Sequence, residues 1–219
     1  ALPIYIWAVG EAGTALRWAG NAGWQSTNTG TPLNLLAVWT RGAKDTWAVG
    51  ELGTVLHHDG SSWQAVASGA QADLYAVWSS GPMDVWVGGA RELLHYDGKT
   101  WQKSAPNSAP IYALAGRLSN DVWAAGADGA LDHFDGGGWR SARALTTATR
   151  ANLRAIALTE NDGLWIAAEQ GVVLRGTANQ ATPLAVLASD TSANLYGIAA
   201  ADSRNIWLVG AAGILSYRR

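Results

Sequence analysis

Acidic residues recur at similar intervals along this 219-residue chain, and their carboxylates are groups that could do chemistry. They occupy comparable places in five segments of the sequence: Glu11, Glu51, Glu92, Asp128 and Glu169. Ala211 stands at the sixth comparable place. Carboxylates gathered on one face of a protein could attract a cation or a basic partner. The alternative is a set of solvated turns, where small polar residues are common, and the sequence leaves both interpretations open.

Two tryptophans form a second candidate ligand site. Trp39 and Trp78 end the related segments NLLAVW and DLYAVW, whereas Ala115, Ala157 and Ala199 stand at the same place in three others. Because alanine suffices in those segments, the two indoles exceed what the repeated pattern requires. We expect them either to fill a wider part of the core or to form an aromatic wall on which a sugar ring stacks.

Histidine also follows the repeat, since His57, His95 and His133 each precede an Asp-Gly pair by two residues. Metal-ligating nitrogens must converge within about 2 Å of the ion, which one histidine per distant segment cannot do. We therefore predict no metal site. Each imidazole is expected instead to hydrogen-bond a neighbouring turn.

Sequence motifs for catalysis are missing. The chain has no Gly-x-Ser-x-Gly, no His-Glu-x-x-His and no glycine-rich phosphate loop. It has no cysteine, which excludes disulfides, thiolate metal sites and a cysteine nucleophile. We predict a protein that is not an enzyme and that uses no cofactor.

Composition narrows the range of partners. The net charge is −2 and no basic run occurs, so nothing indicates a nucleic-acid ligand. Hydrophobic residues make up 48 % of the chain, which is ample for a core, but none of their runs reaches the 18 or more that a membrane span requires. We predict neither nucleic-acid binding nor membrane insertion.

The elements that position these residues belong to a repeat of about 40 residues. Six copies align on one tryptophan each, separated by 37 to 42 residues: Trp7, Trp47, Trp86, Trp123, Trp165 and Trp207. A complete copy contains four short segments rich in branched and aromatic residues, as in NLLAVW, DTWAVG, TVLHHDG and SWQAV. Turn residues separate them, which is typical of consecutive antiparallel strands.

A four-stranded unit repeated with this period predicts an all-β protein of the β-propeller class. The acidic residues then lie in the turns between second and third strands, and the marker tryptophans fill the wedges between blades. Twenty-two predicted strands favour six blades, the first without its inner strand and the last without its outer strand. Five blades are the alternative. We expect a single propeller domain over residues 1–219.

The segment LYAVW…DVWVGGARELLHYDGKTW resembles the repeats of tectonin-type propellers. The DGKTW turn at residues 97–101 is more distantly similar to the Asp-box hairpin of sialidase-like propellers, although Asp97 directly precedes Gly98 here. Exported bacterial propeller repeats have the most similar layout. The resemblance implies a propeller fold and recognition of a glycan or another cell-surface ligand.

We therefore expect a non-enzymatic binding module that is secreted, periplasmic or on the cell surface. Its ligand is a glycan or a protein, and the tectonin-like layout favours a glycan. The alternative is a structural or protein-interaction module of a larger extracellular or envelope assembly. In either case the sequence is expected to be part of a larger chain or assembly.

Overall fold

The computed structural model describes residues 5–104, 110–160, 162–178, 182–187 and 189–218, without the side chains of residues 214–218. Within these ranges the chain forms twenty-two β-strands and short 3-10 turns but no α-helix. None of the described segments is a helix long and apolar enough to cross a membrane. The strands make six antiparallel sheets in chain order, which are the blades of a β-propeller, as predicted.

The chain divides into two compact units, residues 1–105 and 106–219, with three blades in each. A single domain over residues 1–219 stays a prediction. In the first unit, blade 1 contains β1 (Trp7–Val9), β2 (Ala15–Trp18) and β3 (Trp24–Thr27). Blade 2 contains β4 (Leu35–Gly42), β5 (Asp45–Gly50), β6 (Val55–His58) and β7 (Trp63–Ala65). Blade 3 contains β8 (Leu74–Gly81), β9 (Asp84–Gly89), β10 (Leu93–Tyr96) and β11 (Trp101–Lys103).

The second unit repeats the arrangement. Blade 4 contains β12 (Ile111–Leu118), β13 (Asp121–Gly126), β14 (Leu131–Phe134) and β15 (Trp139–Ser141). Blade 5 contains β16 (Leu153–Leu158), β17 (Gly163–Ala168), β18 (Val173–Thr177) and β19 (Ala185–Leu187). Blade 6 contains β20 (Leu195–Ala200), β21 (Asn205–Gly210) and β22 (Gly213–Arg218). The incomplete first and last blades confirm the six-blade prediction over the five-blade alternative.

The short 3-10 segments all lie between strands. They are Glu11–Gly13, Gly20–Ala22, Glu51–Gly53, Ala127–Gly129, Arg143–Thr146 and Glu169–Gly171. Four of the six connect the second and third strands of a blade and enclose a residue with positive φ, which marks them as tight hairpin turns rather than helices. These turns carry most of the acidic residues singled out in the sequence.

The inner hairpin of each complete blade explains the constant spacing within the repeat. The fifth residue of the inner strand pairs with the marker tryptophan, as Trp39 does with Trp47 and Ala157 with Trp165. A one-residue bulge follows the first residue of the inner strand, between Leu35 and Ala37 in blade 2. The hairpin therefore has a fixed register, and a residue gained or lost in it would reverse the faces of its side chains.

Within each unit the core lies between consecutive blades, where the marker tryptophans were predicted. Five of them are between 1 % and 8 % exposed: Trp7, Trp47, Trp86, Trp123 and Trp165. In the second unit, Trp165 and Val173 of blade 5 pack against Leu195, Ile206 and Leu208 of blade 6. Burial of such side chains contributes about 1.5–3 kcal/mol each, so these interfaces stabilise the stacked blades.

The core prediction is wrong for the sixth marker. Trp207 is 41 % exposed and Val209 is 44 % exposed, although the alternating residues Ile206 and Leu208 are buried. Alternate residues of β21 point to opposite faces, and only one face packs on blade 5. Trp207 lies on the other face, so blade 5 does not cover its indole.

Candidate functional site

The turns between second and third strands have a shared backbone geometry. In blade 2, Leu52 has φ 50° and ψ 36° and is followed by Gly53 with φ 73°. The N–H of Thr54 donates to the carbonyl of Glu51 at 3.0 Å, which closes a type I′ turn. Ala12, Asp128 and Gln170 hold the same left-handed position in blades 1, 4 and 5. A Cβ on Gly53 would lie 2.2 Å from the carbonyl oxygen of Ala70, so glycine is required there.

Each of these four turns is fastened to the start of the next inner strand. The N–H of the left-handed residue donates to a side-chain oxygen of an Asn or Asp, at 2.9 to 3.1 Å: Ala12 to Asn34, Leu52 to Asp73, Asp128 to Asn152, and Gln170 to Asn194. The same residues begin the segments NLLAVW, DLYAVW, NLRAIA and NLYGIA. Sequence reasoning missed this role, and the signal was the repeated polar residue directly before a buried leucine.

The five acidic residues fall at three different positions of their turns. Glu11, Glu51 and Glu169 each open a type I′ turn, whereas Asp128 is the exposed left-handed residue. Glu92 comes just before β10, at the place of Thr54 in blade 2. The N–H of Gly89 donates to the backbone carbonyl of Glu92, as that of Gly50 does to the carbonyl of Thr54. The structure therefore does not place the five carboxylates in one equivalent set, and their binding role stays a prediction.

Two of the turn-opening carboxylates bond an asparagine of their own blade. The side-chain amide of Asn34 donates to Glu51 at 2.9 Å, and that of Asn152 donates to Glu169 at 3.0 Å. Arg154, the bulge residue of β16, also pairs with Glu169 and lies 4.1 Å above the Tyr112 ring. Burial raises the pKa of Glu169, but the hydrogen bonds from Arg154 and Asn152 outweigh it and leave that pKa lowered. These side chains are thus occupied within the fold.

The two extra tryptophans lie side by side in unit 1. The ring centroids of Trp39 and Trp78 are 6.3 Å apart, and the Trp39 indole donates to the Ser79 carbonyl at 3.1 Å. Trp78 is only 2 % exposed, whereas Trp39 is half-buried. Trp78 therefore fills the core in this structure and offers no open ring face. A ligand contact at Trp39 stays a prediction.

The three repeated histidines each join an aspartate and the marker tryptophan. His95 lies flat on Trp86 at 4.0 Å, and its Nε2 bonds Asp84 at 2.6 Å. The equivalent Nε2 bonds run from His57 to Asp45 at 3.2 Å and from His133 to Asp121 at 2.8 Å. The aspartates begin the second strands, so the imidazoles bond the turn of the inner hairpin, as the sequence predicted. In blade 5, Arg175 lies 4.9 Å over Trp165 instead.

These Trp-His-Asp clusters lower the pKa of their aspartates. Burial raises the pKa of Asp84, but hydrogen bonds with His95 and Ser80 outweigh it, so the pKa is lowered. The Ser80 hydroxyl donates to Asp84 and not to His95. In a Ser-His-Asp nucleophilic triad the imidazole must contact the hydroxyl to remove its proton. The order of contacts in blade 3 is therefore that of a structural network, not of an activated serine.

Metal-binding geometry is also missing from the part of the chain that the structure describes. No three His, Asp or Glu side chains there are arranged to hold an ion. Each of the three imidazoles bonds one aspartate of its own blade, which gives pairs rather than a set of three ligands.

A cleft of about 680 Å³ lies beside the turn between β9 and β10. Its lining includes Leu52, Asp73, Ala90, Arg91, Glu92 and Lys103. Clefts of 300 to 1,000 Å³ are the usual size for ligand sites, although this one is lined mainly by charged and polar groups. Sequence reasoning identified only Glu92 among these residues.

The turn of blade 3 that borders the cleft differs from that of blade 2. Gly88 pairs with Leu93, whereas in blade 2 Val49 pairs with Val55, so the connection is one residue shorter. Ala90 donates its N–H to the backbone carbonyl of Asp73, and Glu51 donates to that of Asn34 in the same way. Ala90 is therefore the counterpart of Glu51. Alanine also stands at this place in blades 4 and 6, as Ala127 and Ala211.

No protein-family model matches the chain, and no curated protein matches it by sequence. Solved structures do match. YCF48 bound to D1 peptide has a TM-score of 0.74 at 18 % identity, over 98 % of this chain and 74 % of that one. YCF48 from Cyanidioschyzon merolae has 0.70 at 17 % identity, over 97 % and 76 %. Streptogramin B lyase has 0.79 at 14 % identity, over 100 % and 80 %. At these identities the likeness shows the propeller fold alone.

Proposed function

We propose that this protein is a non-enzymatic interaction module that binds a segment of a partner protein in the cleft of blade 3. The observation that carries the proposal is the cleft itself, whose lining includes Arg91 and Lys103, two cations without a charged counterpart in blade 2. Positions where a repeat breaks its own rules are where function is expected, since stability alone would keep the template. The proposal includes no nucleic-acid ligand.

The similarity to YCF48 bound to D1 peptide supports a peptide ligand, because it gives an example of a peptide on the same fold. A cleft open to solvent and rimmed by an exposed leucine suits a peptide, which presents alternating polar and apolar groups. The fold by itself decides nothing here, since streptogramin B lyase shares it.

The absence of catalysis is part of the proposal. It is supported by the contacts of Ser80, His95 and Asp84, which do not follow the order of a nucleophilic triad. It is also supported by the cleft, whose carboxylates Asp73 and Glu92 accept hydrogen bonds from the backbone N–H groups of Leu52 and Gln71. Carboxylates used in this way hold the turn in place.

Glycan recognition, as in a tectonin-like lectin, is the second candidate function. The half-buried Trp39 favours it, because an indole at the surface can stack on the apolar face of a sugar ring. The burial of Trp78 weighs against a two-tryptophan platform. A secreted, periplasmic or cell-surface setting within a larger assembly is part of both proposals, and fractionation of source cells with an antibody would test it.

Parallel arrays distinguish the two functions. The intact chain is labelled and applied to a glycan array and to an array of random twelve-residue peptides that includes acidic, neutral and basic members. Binding to a subset of peptides, with no sugar bound above background, is the expected result. Binding to sugars alone, lost on Trp39→Ala, would overturn the proposal in favour of a lectin.

A further inference from the structure

We infer that the cleft of blade 3 recognises an acidic segment of the partner, with carboxylates bound by Arg91 and Lys103 and an apolar neighbour packed on Leu52. The inference rests on the proposed function and adds the chemical class of the ligand. The three residues come from different places: the turn of blade 2, the turn of blade 3 and the outer strand β11.

Both carboxylates of the cleft have partners within the protein, whereas its two cations remain exposed to solvent. Glu92 is largely buried, accepts the Gln71 N–H at 3.3 Å and pairs with Lys103 at 3.3 Å. The Lys103 side chain is 77 % exposed, so most of its hydration sites face solvent. Asp73 accepts the N–H of Leu52 at 3.0 Å. Both carboxylates are therefore committed to the protein.

Arg91 is the group that gives the cleft its outward charge. It is exposed, and it forms no ion pair with any residue in the described part of unit 1. The shortened turn between β9 and β10 contains no left-handed residue, and Arg91 stands in its middle. A guanidinium presents several N–H donors in a planar fork that matches a carboxylate, so an acidic side chain is the fitting partner.

Leu52 supplies the apolar part of the surface. It is 66 % exposed although it has φ 50°, a conformation that disfavours residues with a Cβ. Asn, Asp and Gly are the residues that such turns favour, so neither burial nor turn geometry accounts for a leucine. Contact with an apolar side chain of a ligand does account for it. The ligand is thus an acidic segment with at least one apolar residue, rather than a free anion.

The test uses labelled peptides and fluorescence anisotropy with the full chain. Three eight-residue peptides alternate leucine with aspartate, asparagine or lysine, and all carry blocked ends. A fourth has the asparagine sequence with a free terminal carboxylate. Arg91→Ala removes the proposed carboxylate contact, and Arg150→Ala removes an exposed arginine of unit 2 as the matched control. Circular dichroism and thermal unfolding check that both variants are folded.

The expected result is that the aspartate peptide binds most tightly and that Arg91→Ala weakens it at least ten-fold, with no change for Arg150→Ala. Equal binding of the aspartate and asparagine peptides would overturn the inference, as would unchanged affinity in Arg91→Ala. A preference for the free terminal carboxylate would also overturn it, because the site would then recognise a chain end. If other peptides bind on the array, the proposed function survives these failures. If none binds, both fail.

Discussion

Leu52 donates its backbone N–H to the Asp73 carboxylate at 3.0 Å while its side chain projects into solvent from a left-handed backbone. The bond fastens the turn of blade 2 to the start of the inner strand of blade 3, and it fixes one wall of the cleft. The same relationship links Ala12 to Asn34 and Gln170 to Asn194. Only at Leu52 does the left-handed residue carry a large exposed apolar group.

This geometry predicts that Leu52 lowers stability. A left-handed conformation costs about 1–2 kcal/mol for a residue with a Cβ, and glycine avoids this but loses more entropy on folding. We expect Leu52→Gly to raise the free energy of unfolding by about 0.5–1 kcal/mol and to weaken peptide binding. The matched control Leu36→Gly, at an exposed leucine without positive φ, should lower that free energy. Urea unfolding measures both, and destabilisation by Leu52→Gly would contradict the assignment of strain.

The marker tryptophans provide a comparison at equivalent positions. Trp123 is 1 % exposed and Trp207 is 41 % exposed. Trp123→Ala should cost about 3–5 kcal/mol, because it empties a large core site. Trp207→Ala should cost about 1–2 kcal/mol, because much less of its surface is removed from water. Denaturant unfolding measures both variants, and an equal loss of unfolding free energy in the two would contradict the exposure of Trp207.

The asparagines that accept a hydrogen bond from the preceding turn should contribute moderately to stability. Asn152 accepts the N–H of Asp128 and donates to Glu169, so Asn152→Ala removes two hydrogen bonds. At about 0.5–1.5 kcal/mol for each bond, the free energy of unfolding should fall by roughly 1–3 kcal/mol. Asn120→Ala, at an exposed asparagine, is the control and should stay within about 0.5 kcal/mol. If Asn152→Ala changes the free energy of unfolding no more than Asn120→Ala does in chemical denaturation, these hydrogen bonds contribute nothing to stability.

The aspartates of the histidine clusters predict a loss of stability in acid. The pKa of Asp84 is lowered in the folded protein from its usual value of 3.8. A lowered folded pKa stabilises the protein above the unfolded pKa, and this stabilisation is lost as the pH falls through the folded value. The midpoint of urea unfolding should therefore fall between pH 5 and pH 3, and less steeply in Asp84→Asn. Parallel pH profiles for the two proteins would exclude this role.

Much of the fold could be predicted from the sequence, because the pattern of one blade occurs in several copies. The tryptophan period, the Asp-Gly turns and the constant hairpin interval are all local signals. The exposure of Trp207 could not be read in this way, since it depends on whether another blade covers that face. For the histidines, the sequence predicted a hydrogen bond to a turn but not the stack on the marker tryptophan, which requires the register of two strands.

The candidate site was harder to predict for the opposite reason. Arg91 and Lys103 belong to no repeated pattern, so nothing in the repeat indicates that they lie together. Glu92 was included in the acidic series, yet it occupies a different turn position from Glu51. An alignment of the turns by strand register, rather than by residue type, would have shown that Ala90 is the counterpart of Glu51.

The most direct test of the proposed binding site places a glutamate side chain in the cleft. The double variant Ala90→Glu with Asp73→Asn gives blade 3 the glutamate and asparagine pair of blades 2 and 5, and the asparagine oxygen can still accept the Leu52 N–H. Ala211→Glu, at the equivalent position beside Asn194, adds the same group far from the cleft in sequence and is the control. The measurement is the affinity for the aspartate-leucine peptide. The account predicts at least a ten-fold loss in the double variant and none in the control, whereas parent-like affinity in a folded double variant would contradict it.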